Sequence, residues 1–116
     1  MASGLSKIEI ITNFTKFAEL QCELGHLGVR GMTVSQVLGC GIQKGSAEYA
    51  IEENEEIVLL PKQMITLVVE TEKVHDIVEV VKQTLYTGHI GDGKIFVSSL
   101  DNVIKVRTGD EGVDAL

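Results

Sequence analysis

Two periods run through the apolar positions of this chain. Phe14, Phe17, Leu20, Leu24 and Leu27 recur at three- and four-residue steps, which predicts an amphipathic helix. Gly25 weakens that helix and Gly28 is a natural stop. Val74, Ile77, Val78, Val81 and Leu85 follow the same period and predict a second helix. Shorter runs rich in β-branched residues predict strands at Lys7–Thr12, over Met32 to Leu38, at Met64–Glu70 and at Lys94–Ser99. Gly39 and Gly41 are expected to interrupt the second strand. The stretch QKGSAEYAIEENEEIVLLPK is polar at its centre and has no clean period, so it reads as a long loop or about one turn of helix. The order strand, helix, strand, loop, strand, helix, strand predicts an α+β fold. Its form is a ferredoxin-like βαββαβ antiparallel sheet with both helices on one face. The opposite face is expected to be buried by self-association.

Bulk properties narrow the function. The 116 residues suit one domain spanning 1–116. With no Trp and only three Phe and two Tyr, the core must be aliphatic. A net charge of −7 argues against a nucleic-acid surface but leaves room for a small anion held by local cations and backbone N–H groups. The N-terminal MASGLSKIEIIT has no secretory pattern, and no apolar run is long enough to span a bilayer. A soluble, cytoplasmic protein is expected. Cys22 and Cys40 stand outside any CxxC or Cys/His cluster and read as reduced thiols. His26, His75 and His89 lack metal-ligand spacing and are expected at the surface. No residue pattern proposes catalysis.

Three glycine- or cation-rich stretches remain. In TGHIGDGKIF, Gly88 to Lys94 fits G-x-x-x-x-G-K, but Ile95 stands where a P-loop carries Ser or Thr. A P-loop also leads from strand to helix, whereas here a helix runs in and a strand runs out. What survives is either a phosphate nest of glycine N–H groups edged by Lys94, or a plain helix-to-strand turn. The second stretch, GCGIQKG from Gly39 to Gly45, offers close backbone approach with Gln43 and Lys44 beside it. The third, KVRTG, sets Lys105 and Arg107 at alternate positions of an expected extended segment, where they would share one face.

Together GMTVSQVLGCGIQKG, LLPK, TGHIGDGKIFV and KVRTGDEG closely resemble the PII signal-transduction family, from about Lys7 to the C-terminus. The resemblance implies a homotrimer with an ATP or ADP site in each cleft between subunits. It assigns to that site Ile11, Thr33, Gly39, Gly41, Gln43, Val68 and the loop residues Gly91, Asp92, Gly93 and Lys94. Lys105 and Arg107 would come from the neighbouring subunit. Gln43 would help hold magnesium and 2-oxoglutarate beside ATP, and Lys62 would pair with 2-oxoglutarate. The phosphate-binding B-loop would span 87–95, and the C-terminal segment 100–116. The T-loop, about 42–59, would dock on a membrane transporter or a metabolic enzyme, in regulation of nitrogen utilisation or a related transport process.

Several positions depart from the family pattern. Ile42 replaces an arginine, Ile51 replaces the arginine that many members insert into an ammonium channel, and Glu55 replaces the modifiable tyrosine. Thr66 stands where glutamate is usual, and TNFT replaces a Lys-Pro-Phe. A partner other than an ammonium channel is therefore expected. Competing readings are an energy sensor without 2-oxoglutarate response, a CutA-like structural or metal-binding trimer, and a weak ATPase.

Overall fold

In a computed structural model, residues 4–42 and 57–116 are described. Strand β1 spans Leu5–Thr12, helix α1 Phe17–His26, strand β2 Thr33–Ile42 and strand β3 Ile57–Glu70. Helix α2 spans Val74–Leu85 and strand β4 Lys94–Leu100. The sheet order is β2-β3-β1-β4 with every neighbouring pair antiparallel, the ferredoxin-like βαββαβ arrangement expected from the sequence.

Side-chain alternation decides which sheet face the helices cover. Ile8 and Ile10 of β1 point the same way as Ile65, Leu67 and Val69 of β3. They pack with Leu20 and Leu24 of α1 and with Ile77, Val81 and Leu85 of α2. This core is wholly aliphatic, as the composition requires. The other face carries Lys7, Glu9, Ile11, Met64, Thr66 and Val68, all half-buried in the protomer. A Lys7–Glu9 ion pair of 3.8 Å lies on it.

Four boundaries differ from the sequence expectation, each for a local reason. Helix α1 starts at Phe17 rather than near Phe14 because the Asn13 side-chain amide oxygen accepts hydrogen bonds from the Thr15 N–H, at 3.1 Å, and the Thr15 hydroxyl. That Asx turn holds the chain out of the helix and leaves Phe14 45% exposed. Strand β2 is not interrupted at Gly39 or Gly41; pairing continues to Ile42↔Ile57. Strand β3 correspondingly begins at Ile57, so residues 57–59 of the expected T-loop are strand. Pro61 is tolerated inside β3 because β1 pairs only as far as Thr12↔Gln63, leaving residues 57–62 with β2 as their one sheet neighbour among the described residues. The remainder of the expected T-loop, including Gln43, Lys44, Tyr49, Ile51 and Glu55, lies outside the described residues.

The fourth difference is at the C-terminus. Lys105 and Arg107 are not on an extended segment but in a turn between Ile104 and Glu111, which form an isolated bridge. The Lys105 N–H donates to the Asp110 carbonyl and the Gly109 N–H to the Lys105 carbonyl, both at 2.8 Å. Gly109, at φ +77°, supplies the left-handed residue that closes the turn. A short 3-10 turn, Gly112–Ala115, ends the chain.

The burial pattern yields a stability contrast. Leu24→Ala, at a site with no exposure, is expected to lower unfolding free energy by about 2–5 kcal/mol in urea titrations at fixed protein concentration. Phe14→Ala, despite its larger side chain, should cost less than about 1 kcal/mol.

Candidate functional site

The glycine loop between α2 and β4 is built against the end of β1. Gly93 sits at φ +108°, and a Cβ there would run into the Ile11 carbonyl oxygen and lie 3.1 Å from the Thr12 Cα. Only glycine permits that approach. The Thr12 hydroxyl donates to the Asp92 carbonyl at 2.9 Å, and the Asn13 amide reaches the Gly91 carbonyl at 3.5 Å. These contacts seat the loop on β1 from the outside.

Asp92 shapes the loop from within. Its carboxylate accepts hydrogen bonds from the Thr87 N–H at 2.8 Å, the Gly88 N–H at 3.0 Å and the Thr87 hydroxyl. The Thr87 hydroxyl, then the Thr87 and Gly88 N–H groups, with the charge of His89, hold the carboxyl below its ordinary pKa. The sequence placed Asp92 among the ligand-binding residues; in the protomer both of its oxygens face the loop's own donors. The supports at Thr12, Asn13 and Thr87 escaped sequence reasoning. The Thr87/Asp92 spacing, Ser/Thr and Asp bracketing a glycine turn, was the signal available.

Lys62 joins this loop to β2. It leaves β3 on the face opposite the helices, where Gly39 has no side chain to obstruct it. A Cβ on Gly39 would lie 3.1 Å from the Lys62 Cγ, and one on Gly91 would lie 3.6 Å from the Lys62 Nζ. The ammonium thus arrives beside the loop by crossing a glycine. Lys94, the first residue of β4, pairs in register with Ile11. Ile11, Gly39, Lys62 and Gly91 to Lys94 therefore gather at one end of the sheet, with two cations beside a glycine-rich backbone. Gly41 pairs with Val58 farther along the same strand pair.

The other expected residues lie elsewhere. Thr33 pairs with Thr66 and lines a groove of about 640 Å³ with Val68, Arg30 and Met32. Val103, Val113 and Leu116 of the C-terminal segment form its far wall. Among the described residues, no hydrogen bond or ion pair links Lys105 or Arg107 to the glycine loop. The candidate residues thus form two groups at separate places on one protomer. Among the described residues no group of three His, Cys, Asp or Glu side chains could hold a metal ion, both cysteines are free and exposed, and no helix is long and apolar enough to cross a membrane.

Loop order should follow the ionisation of Asp92. A depressed pKa means that the folded loop favours the carboxylate, so this contribution is present above the ordinary value of 3.8 and is lost as pH falls through the depressed one. The amide resonances of Thr87 and Gly88 are expected to stay fixed down to that ordinary value and to shift on further acidification. In Asp92→Asn the acid transition should be absent.

Comparison with known proteins gives the architecture a lineage. The family model described as nitrogen regulatory protein P-II matches residues 5–110. A nitrogen regulatory PII-like protein of Bacillus subtilis is 40% identical over 116 residues, covering 100% of both chains. A nitrogen regulatory protein P-II of Cyanidium caldarium is 40% identical over 111 residues, covering 96% of this chain and 98% of its own. Among solved structures, a B. subtilis GlnK–ATP complex superposes with a TM-score of 0.85 at 38% identity, covering 99% of this chain and 100% of that one. Arabidopsis thaliana PII bound to citrate gives a TM-score of 0.77 at 31% identity, covering 97% of this chain and 92% of the other. Sheet order, glycine loop and full-length similarity agree: the chain belongs to the nitrogen regulatory protein P-II family.

Proposed function

We propose that this protein is a signalling regulator that binds ATP and ADP in clefts between the subunits of a homotrimer. It passes the ligand state through the loop joining β2 and β3 to a partner transporter or metabolic enzyme. The observation that carries the nucleotide reading is the meeting of Lys62, Gly39 and the Gly91–Lys94 loop at one sheet end. A chain of net charge −7 here concentrates positive charge and close backbone approach, the chemistry a phosphate chain requires. The ATP complex of a full-length relative supports the same ligand.

The separation of the candidate residues supports a site completed by a second copy. Ile11, Gly39, Gly41, Lys62 and the glycine loop form one wall. Thr33 and Val68, with Lys105 and Arg107 from the C-terminal turn, form the other, contributed by the neighbour. Gln43 would help hold magnesium and 2-oxoglutarate beside ATP, and Lys62 would pair with 2-oxoglutarate; a lysine ammonium is matched to a carboxylate, and one relative binds citrate. Ligands then act by favouring one loop conformation over another, which the partner reads. The role is regulatory rather than catalytic.

Calorimetry is expected to show ATP and ADP binding, weakened about ten- to hundredfold in Lys94→Ala, the size of a hydrogen bond to a charged group at about 1.5–3 kcal/mol. No detectable binding of either nucleotide to the unmodified protein would overturn the reading. The shared cleft has its own test. Lys94→Ala and Arg107→Ala proteins should each bind weakly, yet co-refolded mixtures should regain a fraction of tight sites, since some clefts then receive both intact walls. Magnesium-dependent 2-oxoglutarate binding, lost in Gln43→Ala, would separate a carbon/nitrogen sensor from an energy sensor.

A further inference from the structure

The helix-covered face of the sheet is aliphatic except at its two ends. Ser6 is buried at one end, bonded to the Thr71 hydroxyl at 2.8 Å. Thr12 and Gln63 are buried at the other, 4% and 9% exposed, and are cross-strand partners in the β1–β3 register. Thr12 spends its hydroxyl proton on the Asp92 carbonyl of the glycine loop. The Gln63 Oε1 is buried and has no hydrogen-bond partner among the described residues. A buried acceptor left without a donor is destabilising, so this oxygen exerts a standing demand for one.

Gln63 has two cross-strand partners, Gln36 on β2, which is exposed, and Thr12 on β1, which is buried with it and carries a donor. A threonine hydroxyl carries one hydrogen, and directly opposed side chains in an antiparallel pair have Cβ atoms about 4.5–5.5 Å apart. Rotation about the Thr12 Cα–Cβ bond can therefore redirect its proton from the Asp92 carbonyl to Gln63. We propose that Thr12 and Gln63 are positioning residues that set the glycine loop, the single Thr12 proton going to Asp92 when the loop is seated and to Gln63 when it is released. The same two positions of β3 face both sides of the site. Lys62 meets Gly91 on the front of the sheet, and Gln63 competes for the loop's anchor on the back. An anion held between Lys62 and the loop then favours the seated state against the pull of Gln63. This last step rests on the nucleotide reading above; the competition for the proton does not.

The test is amide hydrogen exchange across residues 87–94 in the full-length, ligand-free protein. Gln63→Met removes the competing acceptor at similar volume and is expected to slow exchange several-fold. Thr12→Val removes the donor and should accelerate it about tenfold, the equivalent of one ordinary hydrogen bond. Thr12→Ser keeps the hydroxyl and should stay within about twofold of the unmodified protein. Because Gln63 acts through the Thr12 proton, the double variant Thr12→Val/Gln63→Met should match Thr12→Val alone. Unchanged or faster exchange in Gln63→Met, or effects of the two substitutions that simply add, would overturn the proposal. ATP affinity should move with exchange, tighter in Gln63→Met and weaker in Thr12→Val. If the exchange pattern holds while ATP fails to bind any variant, the loop device stands and the nucleotide reading falls.

Discussion

The candidate site depends on one backbone contact, that of Gly93 with the end of β1. Because the Ile11 carbonyl and the Thr12 Cα occupy the space where a side chain would stand, the loop is fixed against the sheet by shape rather than by a strong bond. The weaker contacts then fall into place. Thr12 reaches the Asp92 carbonyl, Asp92 folds its carboxylate onto Thr87 and Gly88, and Gly91 comes under the Lys62 ammonium. Each is a modest interaction that a misplaced loop would forfeit.

The proposed anion site has to work against the charge of the protein as a whole. Its 17 acidic residues outnumber 10 basic ones, so the overall field is unfavourable to phosphate. Anion binding of the kind proposed would come from close range, where backbone dipoles and one or two ammonium groups outweigh distant charge screened by salt. Gly39 serves that end indirectly. With no Cβ, it lets the Lys62 stem lie flat across β2, which carries the charge to the neighbouring loop.

Much of this was legible in the sequence, and what was not has physical causes. The helical period of Val74 to Leu85 and the β-branched runs identified the elements and their order because burial on one face leaves a periodic trace. The glycine loop was legible as a departure from the P-loop, through Ile95 and the reversed order of elements. Boundaries were less so. Phe14 continued the apolar period of α1, but the Asn13 side chain, three atoms from its own backbone, imposed a turn instead. Gly39, Gly41 and Pro61 look like strand breakers, yet a strand pair running past the end of β1 tolerates them. The buried pair Thr12 and Gln63 left no trace at all. Their meeting depends on register between strands some fifty residues apart, which no local pattern encodes.

The outrun of β2 and β3 past the end of β1 has a mechanical meaning. Beyond Thr12↔Gln63 the sheet narrows to two strands among the described residues, and the pairs from Val37↔Lys62 to Ile42↔Ile57 run on without β1 beside them. At about 3.4 Å per residue, the five steps from Lys62 to Ile57 make a lever about 17 Å long. Lys62, Gly39 and Gly91 meet at its base. A tilt of about 10° there displaces the far end by about 3 Å, comparable to the spacing of one strand residue. Under the proposed function, ligand contacts of tenths of an ångström at that base would be enlarged along the strand pair to a displacement that a docking surface could distinguish.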